Sequence, residues 1–156
     1  MESKIKETTE KRIFIKSYPK FQQIEALIKA MNLPENKNPQ ISIIGKFDED
    51  PLDATKNVAA LEEEMETKCK ALFPYPIDFG ILSNPEIGTI FITGFLVSTF
   101  LQEIERKEIG AMLTGPFGIL RGLGIYPESA ALNLKALQLG RYLLIVRGTK
   151  KELKAL

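Results

Sequence analysis

The chain has no histidine and no tryptophan, and only one cysteine. Without histidine it lacks the side chain that most often serves as a neutral-pH general base, a metal ligand or a pH switch. A single Cys69 can form neither an internal disulfide nor a thiolate metal cluster. An unpaired thiol is expected in a reducing, cytoplasmic setting. Charge of one sign is missing too: 21 basic side chains stand against 20 acidic ones, for a net charge of +1. That balance gives no overall attraction to nucleic acid or to an anionic membrane, so no nucleic-acid partner is expected. Long apolar runs are also absent. The longest stretch without a charged residue, Ile87–Gln102, has 16 residues, where a membrane-spanning helix needs about 20. The opening MESKIKETTEKR is charged and has no apolar core of the kind a secretory signal carries. Residues 1–11 therefore read as a polar tail and 12–156 as one α+β domain, a length that can bury a core of its own.

Hydrophobic spacing then supplies the elements. Arg12–Ser17 (RIFIKS) is short and rich in β-branched and aromatic residues, which predicts a strand. Phe21, Ile24, Leu27, Ile28 and Met31 repeat at three and four residues, predicting a helix over 19–32 with Pro19 in its first turn. A loop at 34–39 leads to a strand over 41–47. Asp50, Pro51 and Asp53 carry the marks of a helix start: a capping side chain, a proline at the first position and negative charge near the positive end of the dipole. The same acids lack the glycine and the distant glutamate of a calcium loop, so no metal and no cofactor are expected. The helix over 51–72 places Val58, Leu61, Met65, Cys69 and Leu72 on one stripe, with Glu62, Glu63, Glu64 and Glu66 on a solvated face. Cys69 thus reads as a small buried hydrophobe, with no histidine to activate it.

Prolines 74 and 76 end that helix. Residues 77–82 are a strand or an extended connection, 83–86 a turn, and Thr89–Thr93, four of whose five residues are β-branched, a strand. A helix from Tyr126-Pro127 runs to Leu139 and stops at Gly140. The uninterrupted apolar run Tyr142–Val146 predicts a central strand, and Thr149 caps a last short helix. These elements predict an α+β fold: a ferredoxin-like βαββαβ sheet with an inserted helix and an inserted glycine-rich αα hairpin over about 94–123.

That hairpin lies in Ile87–Ile125, which holds seven of the chain's 11 glycines. Gly94 ends the strand before it, Phe95–Lys107 and Ile109–Leu123 are its two helices, and Gly110 turns between them. The stretch GPFGILRGLG has neither the Lys-Ser/Thr pair of a phosphate-binding loop nor the spacing of a dinucleotide site. Ala111, Gly115, Gly118 and Gly122 instead line one helix side with small residues, which permits close backbone packing. With Phe95, Leu96, Leu113 and Phe117 they form the candidate interface for a homo-oligomer. Arg121, Arg141 and Arg147, next to glycines or at strand ends, are the candidate anion-binding residues. No catalytic constellation is marked by spacing.

The segment LTGPFGILRGLGIYPESAALNLKALQLGRYLLIVRG resembles a bacterial family of small general-stress or low-temperature-induced domains of unknown function. The matching residues are Leu123, Gly124, Ile125 and Pro127, the helix Glu128–Leu139, Gly140 and the strand Tyr142–Val146. Tyr126 is an extra residue before Pro127, and Arg141 stands where the family has a second glycine. The resemblance implies a ferredoxin-like fold around a glycine-rich hairpin, a role in stress and no catalytic residues. Three functions stay open on the sequence: a non-enzymatic protein acting by self-association or partner binding, a small-ligand or nucleotide-binding regulatory module, and a membrane-peripheral protein using the 94–123 hairpin.

Overall fold

The computed structural model describes residues 10–35, 38–47, 58–154 and 156. The helix-start signals at Asp50, Pro51 and Asp53 and most of the polar tail lie outside them. The chain is α+β, built on an antiparallel five-stranded sheet. In chain order the strands are β1 (Lys11–Tyr18), β2 (Gln40–Lys46), β3 (Phe79–Asn84) and β4 (Gly88–Gly94), then a two-stranded ribbon of β5 (Glu103–Ile104) and β6 (Lys107–Glu108), and last β7 (Tyr142–Thr149). The helices are α1 (Phe21–Met31), α2 (Val58–Ala71), α3 (Val97–Leu101), α4 (Gly115–Gly122), α5 (Pro127–Gln138) and α6 (Lys150–Leu153), with a 3₁₀ turn at Ile109–Ala111.

The large sheet runs β1-β7-β2-β4-β3, and each neighbouring pair is antiparallel. The most apolar strands lie inside it, because only they can be covered on both faces. On one face Ile44, Ile90, Ile92, Leu143 and Ile145 pack under α3, α4 and α5. On the other, Ile41, Ile43, Phe91, Leu144 and Val146 meet α1 and the Cys69 side of α2. Phe91 centres that second layer, 5.6 Å from Phe47, 5.9 Å from Phe79 and 6.4 Å from Tyr142 between ring centroids. Residue 45 must be glycine for this cluster to close, since a Cβ there would come within 2.6 Å of both Phe91 and Tyr142 ring carbons.

This arrangement bears out an α+β sheet but does not confirm the specific ferredoxin-like form. Two right-handed crossovers of a βαββαβ unit would place both helices on one face. Here α1 and α2, which link β1 to β2 and β2 to β3, cover one face, and the α3–α5 segment linking β4 to β7 covers the other. Each link skips one strand, so the third has the opposite hand to the first two. The sheet also has a fifth strand, with β1 added outside β7.

The inserted αα hairpin is absent as well. Its first helix stops at Leu101 after five residues. The charged stretch that follows folds back as the ribbon, Ile104 pairing with Lys107 across Glu105 and Arg106. Both turn residues have positive φ, 53° and 68°, the backbone of a tight two-residue β-turn. Smaller departures follow the same local logic. Pro19 precedes α1, whose start is closed by the Gln23 Oε1 atom accepting from Lys20 N at 3.1 Å. Val58 is 62% exposed and does not belong to the buried stripe of α2. Strand β3 runs to Asn84, two residues beyond the expected end. The C-terminal reading holds: Gly140 takes a φ of 94° after α5, and Gly140 N and Arg141 N donate back to Leu137 O and Ala136 O at 3.0 Å, a glycine-closed helix end. Thr149 caps α6, with its Oγ1 accepting from Glu152 N.

Candidate functional site: two clefts beside α4

Helix α4 stands as a ridge on the face covered by α3 and α5. Pro116 sits in its first turn, where the missing N–H has no partner to lose. Pro116, Ile119 and Leu120 are buried beneath it. At its far end Gly124 adopts a φ of 93°, and Ile125 N donates back to Leu120 O at 3.2 Å. The entry is fixed by Gly115, where a Cβ would collide with the Ile109 carbonyl.

The side of α4 turned towards α3 borders an open cleft of about 450 Å³. Its walls are Leu96, Ile109, Ile119 and Leu123, with Thr99 and Thr114 supplying the polar groups, and Gly115, Gly118 and Gly122 lie along α4. The side turned towards α5 borders a second cleft of about 430 Å³, with Ile87, Leu113, Phe117 and Leu134 as apolar walls and Glu86, Lys135 and Gln138 as polar ones. Thr114 contributes to both. Apolar clefts with a few polar groups are the usual form of a binding site. Leu113, 61% exposed, stands beside them.

Of the expected small residues, Gly115, Gly118 and Gly122 lie along α4, while Ala111 lies in the 3₁₀ turn before it, and their surroundings differ. Gly115 is required by close backbone approach. Gly118 and Gly122 are exposed, and a Cβ on either would meet nothing within 4 Å. Ala111 is half-buried, as are Phe95 and Phe117, which pack against the core, and Leu96 is buried. The exposed part of the predicted interface therefore contracts to Leu113, Gly118 and Gly122. Thr99, Ile109, Thr114, Ile119 and Leu123, the other walls of the first cleft, are not among the expected interface residues, because the chain brings them together from separate elements. Lys135 and Gln138 carry no sequence signal at all.

The three arginines do not converge. Arg121, at the end of α4, donates to Ile125 O at 2.8 Å. Arg141 donates from Nε to Ser17 Oγ at 3.0 Å and from Nη2 to Ser17 O at 3.3 Å, tying β7 to β1. Arg147 is exposed near the other end of β7, about 20 Å along the strand from Arg141 at the usual rise.

Cys69 is fully buried in the second core layer. Burial first, and then the nearby Glu25 charge, push its thiol up to about 12, while Lys68 acts in the opposite sense. A thiolate is the reactive form, so this cysteine is built for packing. The raised value makes stability depend on pH. The native state holds the thiol proton more tightly than the unfolded chain, so this contribution is complete below the ordinary thiol value and is lost as pH rises from there towards about 12. Relative to Cys69→Ala, the wild type is expected to lose about 1 kcal/mol more stability per pH unit above roughly pH 9. Urea titrations of both proteins at pH 8, 9 and 10 measure this, and a constant gap between them would exclude it.

Among the described residues no group of three or more Cys, Asp or Glu side chains is placed to hold a metal ion. No helix among them is long and apolar enough to cross a membrane. Set against protein-family models, curated proteins and solved structures, the chain finds no match.

Proposed function

We propose that this chain is a non-enzymatic protein that works by self-association, burying the exposed flank of α4 and its glycine-lined cleft against a second copy. The observation that carries this reading is the pair Gly118 and Gly122, exposed beside an open apolar cleft. A glycine inside a helix costs about 1 kcal/mol relative to alanine. Gly118 has no neighbour in its own chain that requires its smallness, so a backbone or side chain from outside is the natural beneficiary. Leu113 supplies an apolar anchor beside it. The stress role implied by the resemblance at Leu123–Val146 fits a protein that acts by assembly rather than by turnover.

The test separates fold from function. Gly118→Ala is expected to stabilise the monomer by up to about 1 kcal/mol, read by urea denaturation at low micromolar concentration. Gly118→Trp is expected to leave the circular dichroism spectrum intact, because space is open there, and to abolish self-association in sedimentation velocity. A wild-type protein that stays monomeric at high micromolar concentration would overturn the reading. The second cleft supports a different reading, a module for a small amphiphilic ligand, because Lys135 and Gln138 rim an apolar floor of Phe117 and Leu134. A metabolite thermal-shift screen in which Lys135→Ala removes the response tests that alternative.

A further inference from the structure

We propose that the outer edge of β1 accepts an extended acidic peptide segment as a sixth strand. Strand β1 pairs only with β7, and among the described residues its other edge meets no strand. It is eight residues long and contains no proline. An edge of this kind presents a row of backbone donors and acceptors that another extended chain can use.

The side chains specify which chain. Phe14 and Tyr18 join the core layer under α1, and alternation along the strand puts Arg12 and Lys16 on that same face. Both are exposed, and the Lys16 ammonium lies 5.4 Å from the Tyr18 ring centroid. Ile13 and Ile15, half-buried, belong to the opposite face. A strand laid beside β1 would therefore meet Arg12 and Lys16 beside Phe14 and Tyr18 on one face, and Ile13 and Ile15 with Lys11 at their end on the other. Acidic and β-branched residues in alternation match both faces at once.

The surroundings reinforce the charge. Lys20 follows β1, Arg147 lies opposite Ile13, and Lys150 and Lys151 follow Thr149, the partner of Lys11. Among the described residues, Glu10 precedes β1, and Glu152 already accepts from Thr149 N at 2.8 Å. Among the described residues an acidic group lies elsewhere: Glu62, Glu63 and Glu66 of α2 lie beside β3 at the far edge of the sheet. The described residues thus form one basic edge and one acidic edge. A second copy does not suit the β1 edge, because antiparallel self-pairing centred on Phe14 would set Arg12 of each copy against Lys16 of the other, and like charges across a strand pair are destabilising. The α2 carboxylates sit on a helix and cannot add as a strand.

The probe is an eight-residue peptide of alternating glutamate and valine. Its control alternates glutamate and proline, keeping the charge and removing half of the backbone donors. Fluorescence anisotropy is expected to show binding of the first peptide, with amide NMR shifts concentrated on 11–18. The control peptide, and the double variant Arg12→Glu with Lys16→Glu, are each expected to bind at least about tenfold more weakly. Both substituted side chains are exposed, and an unchanged amide spectrum elsewhere verifies the fold. Equal binding of the proline peptide would reduce the effect to ion attraction and overturn the proposal. So would an oligonucleotide of equal charge binding as tightly at the same residues, self-association that depends on Arg12 and Lys16, or no binding of the first peptide at about 1 mM, near the weak limit of specific recognition.

Discussion

Replacing Asn84 by aspartate is expected to destabilise the fold by about 3 kcal/mol or more at pH 7. Asn84 is 2% exposed and uses every hydrogen-bonding position of its amide. Its Oδ1 accepts from Glu86 N at 2.9 Å and Ile87 N at 3.0 Å, shaping the turn between β3 and β4. Its Nδ2 donates to Gly110 O at 2.9 Å and Met112 O at 3.0 Å, fixing the segment that leads into α4. Aspartate keeps the shape and the acceptor half, but turns a buried negative charge towards two carbonyl oxygens. Both donor bonds are lost and the carbonyls gain a repulsive neighbour.

The penalty has a sign with pH. Repulsion and burial raise the folded-state value of such a carboxyl above its unfolded one, because the protonated form can donate to one carbonyl. The variant's stability is then greatest below the unfolded carboxyl value, about 3.9, and falls as pH rises through the folded one. Its deficit against the wild type should shrink between pH 7 and pH 4. Urea denaturation at both values measures this. A deficit under about 1 kcal/mol at pH 7 would show that the four bonds do not organise this region.

The role of Asn84 marks the limit of local reading. A turn at 83–86 is written in the dipeptide Asn84-Pro85, because asparagine side chains bond the backbone two residues on. The tether to residues 110 and 112 is not, because no periodicity links positions 26 and 28 residues apart. The same division holds across the fold. Strand β7 was legible from its unbroken apolar run, and α1 from its three- and four-residue spacing. The end of α3 was not. Apolar residues as far as Leu101 suggested one long helix, and the ribbon that replaces its second half turns on Glu105 and Arg106 in a conformation usually reserved for glycine and asparagine. Strand order and the face taken by each crossover depend on pairings between distant segments, so a family of βαββαβ arrangements fitted the same string of elements. At the candidate site, helical spacing put Gly115, Gly118 and Gly122 near one another. Only the packing around them separates the glycine forced by the Ile109 carbonyl from the two that face open space.

Gly94→Ala is expected to cost about 3 kcal/mol or more, from two sources that a neighbouring variant can separate. Gly94 ends β4 where the chain leaves the sheet for α3. Its N–H donates to Asp78 O at 3.0 Å, and the next N–H, of Phe95, donates to Ile41 O at 3.3 Å. Leu96 N then donates to the buried Ser42 Oγ at 2.9 Å. These bonds draw the chain across the end of β2, and Gly94 has to pass there with a φ of 88°. A Cβ would strike the Ile41 carbonyl and come within 3.2 Å of Ser42 Cα. Both are backbone in a central strand and cannot move aside without breaking the ladder. Gly88 provides the comparison. Its φ is 106°, yet a Cβ there would meet only the Lys46 side chain, 3.2 Å away at Cε, and a flexible lysine can give way. Gly88→Ala should therefore show the backbone strain alone, about 1–2 kcal/mol. Urea denaturation of the two variants measures the difference. Equal costs would mean that left-handed backbone strain accounts for both and that the passage over β2 has room to spare. A larger loss at Gly94 would place the constraint at the crossing itself. Because that crossing positions α3 and the wall of the first cleft at Leu96, a Gly94→Ala protein that still folds should also lose the self-association proposed for the α4 flank, although residue 94 lies outside the cleft.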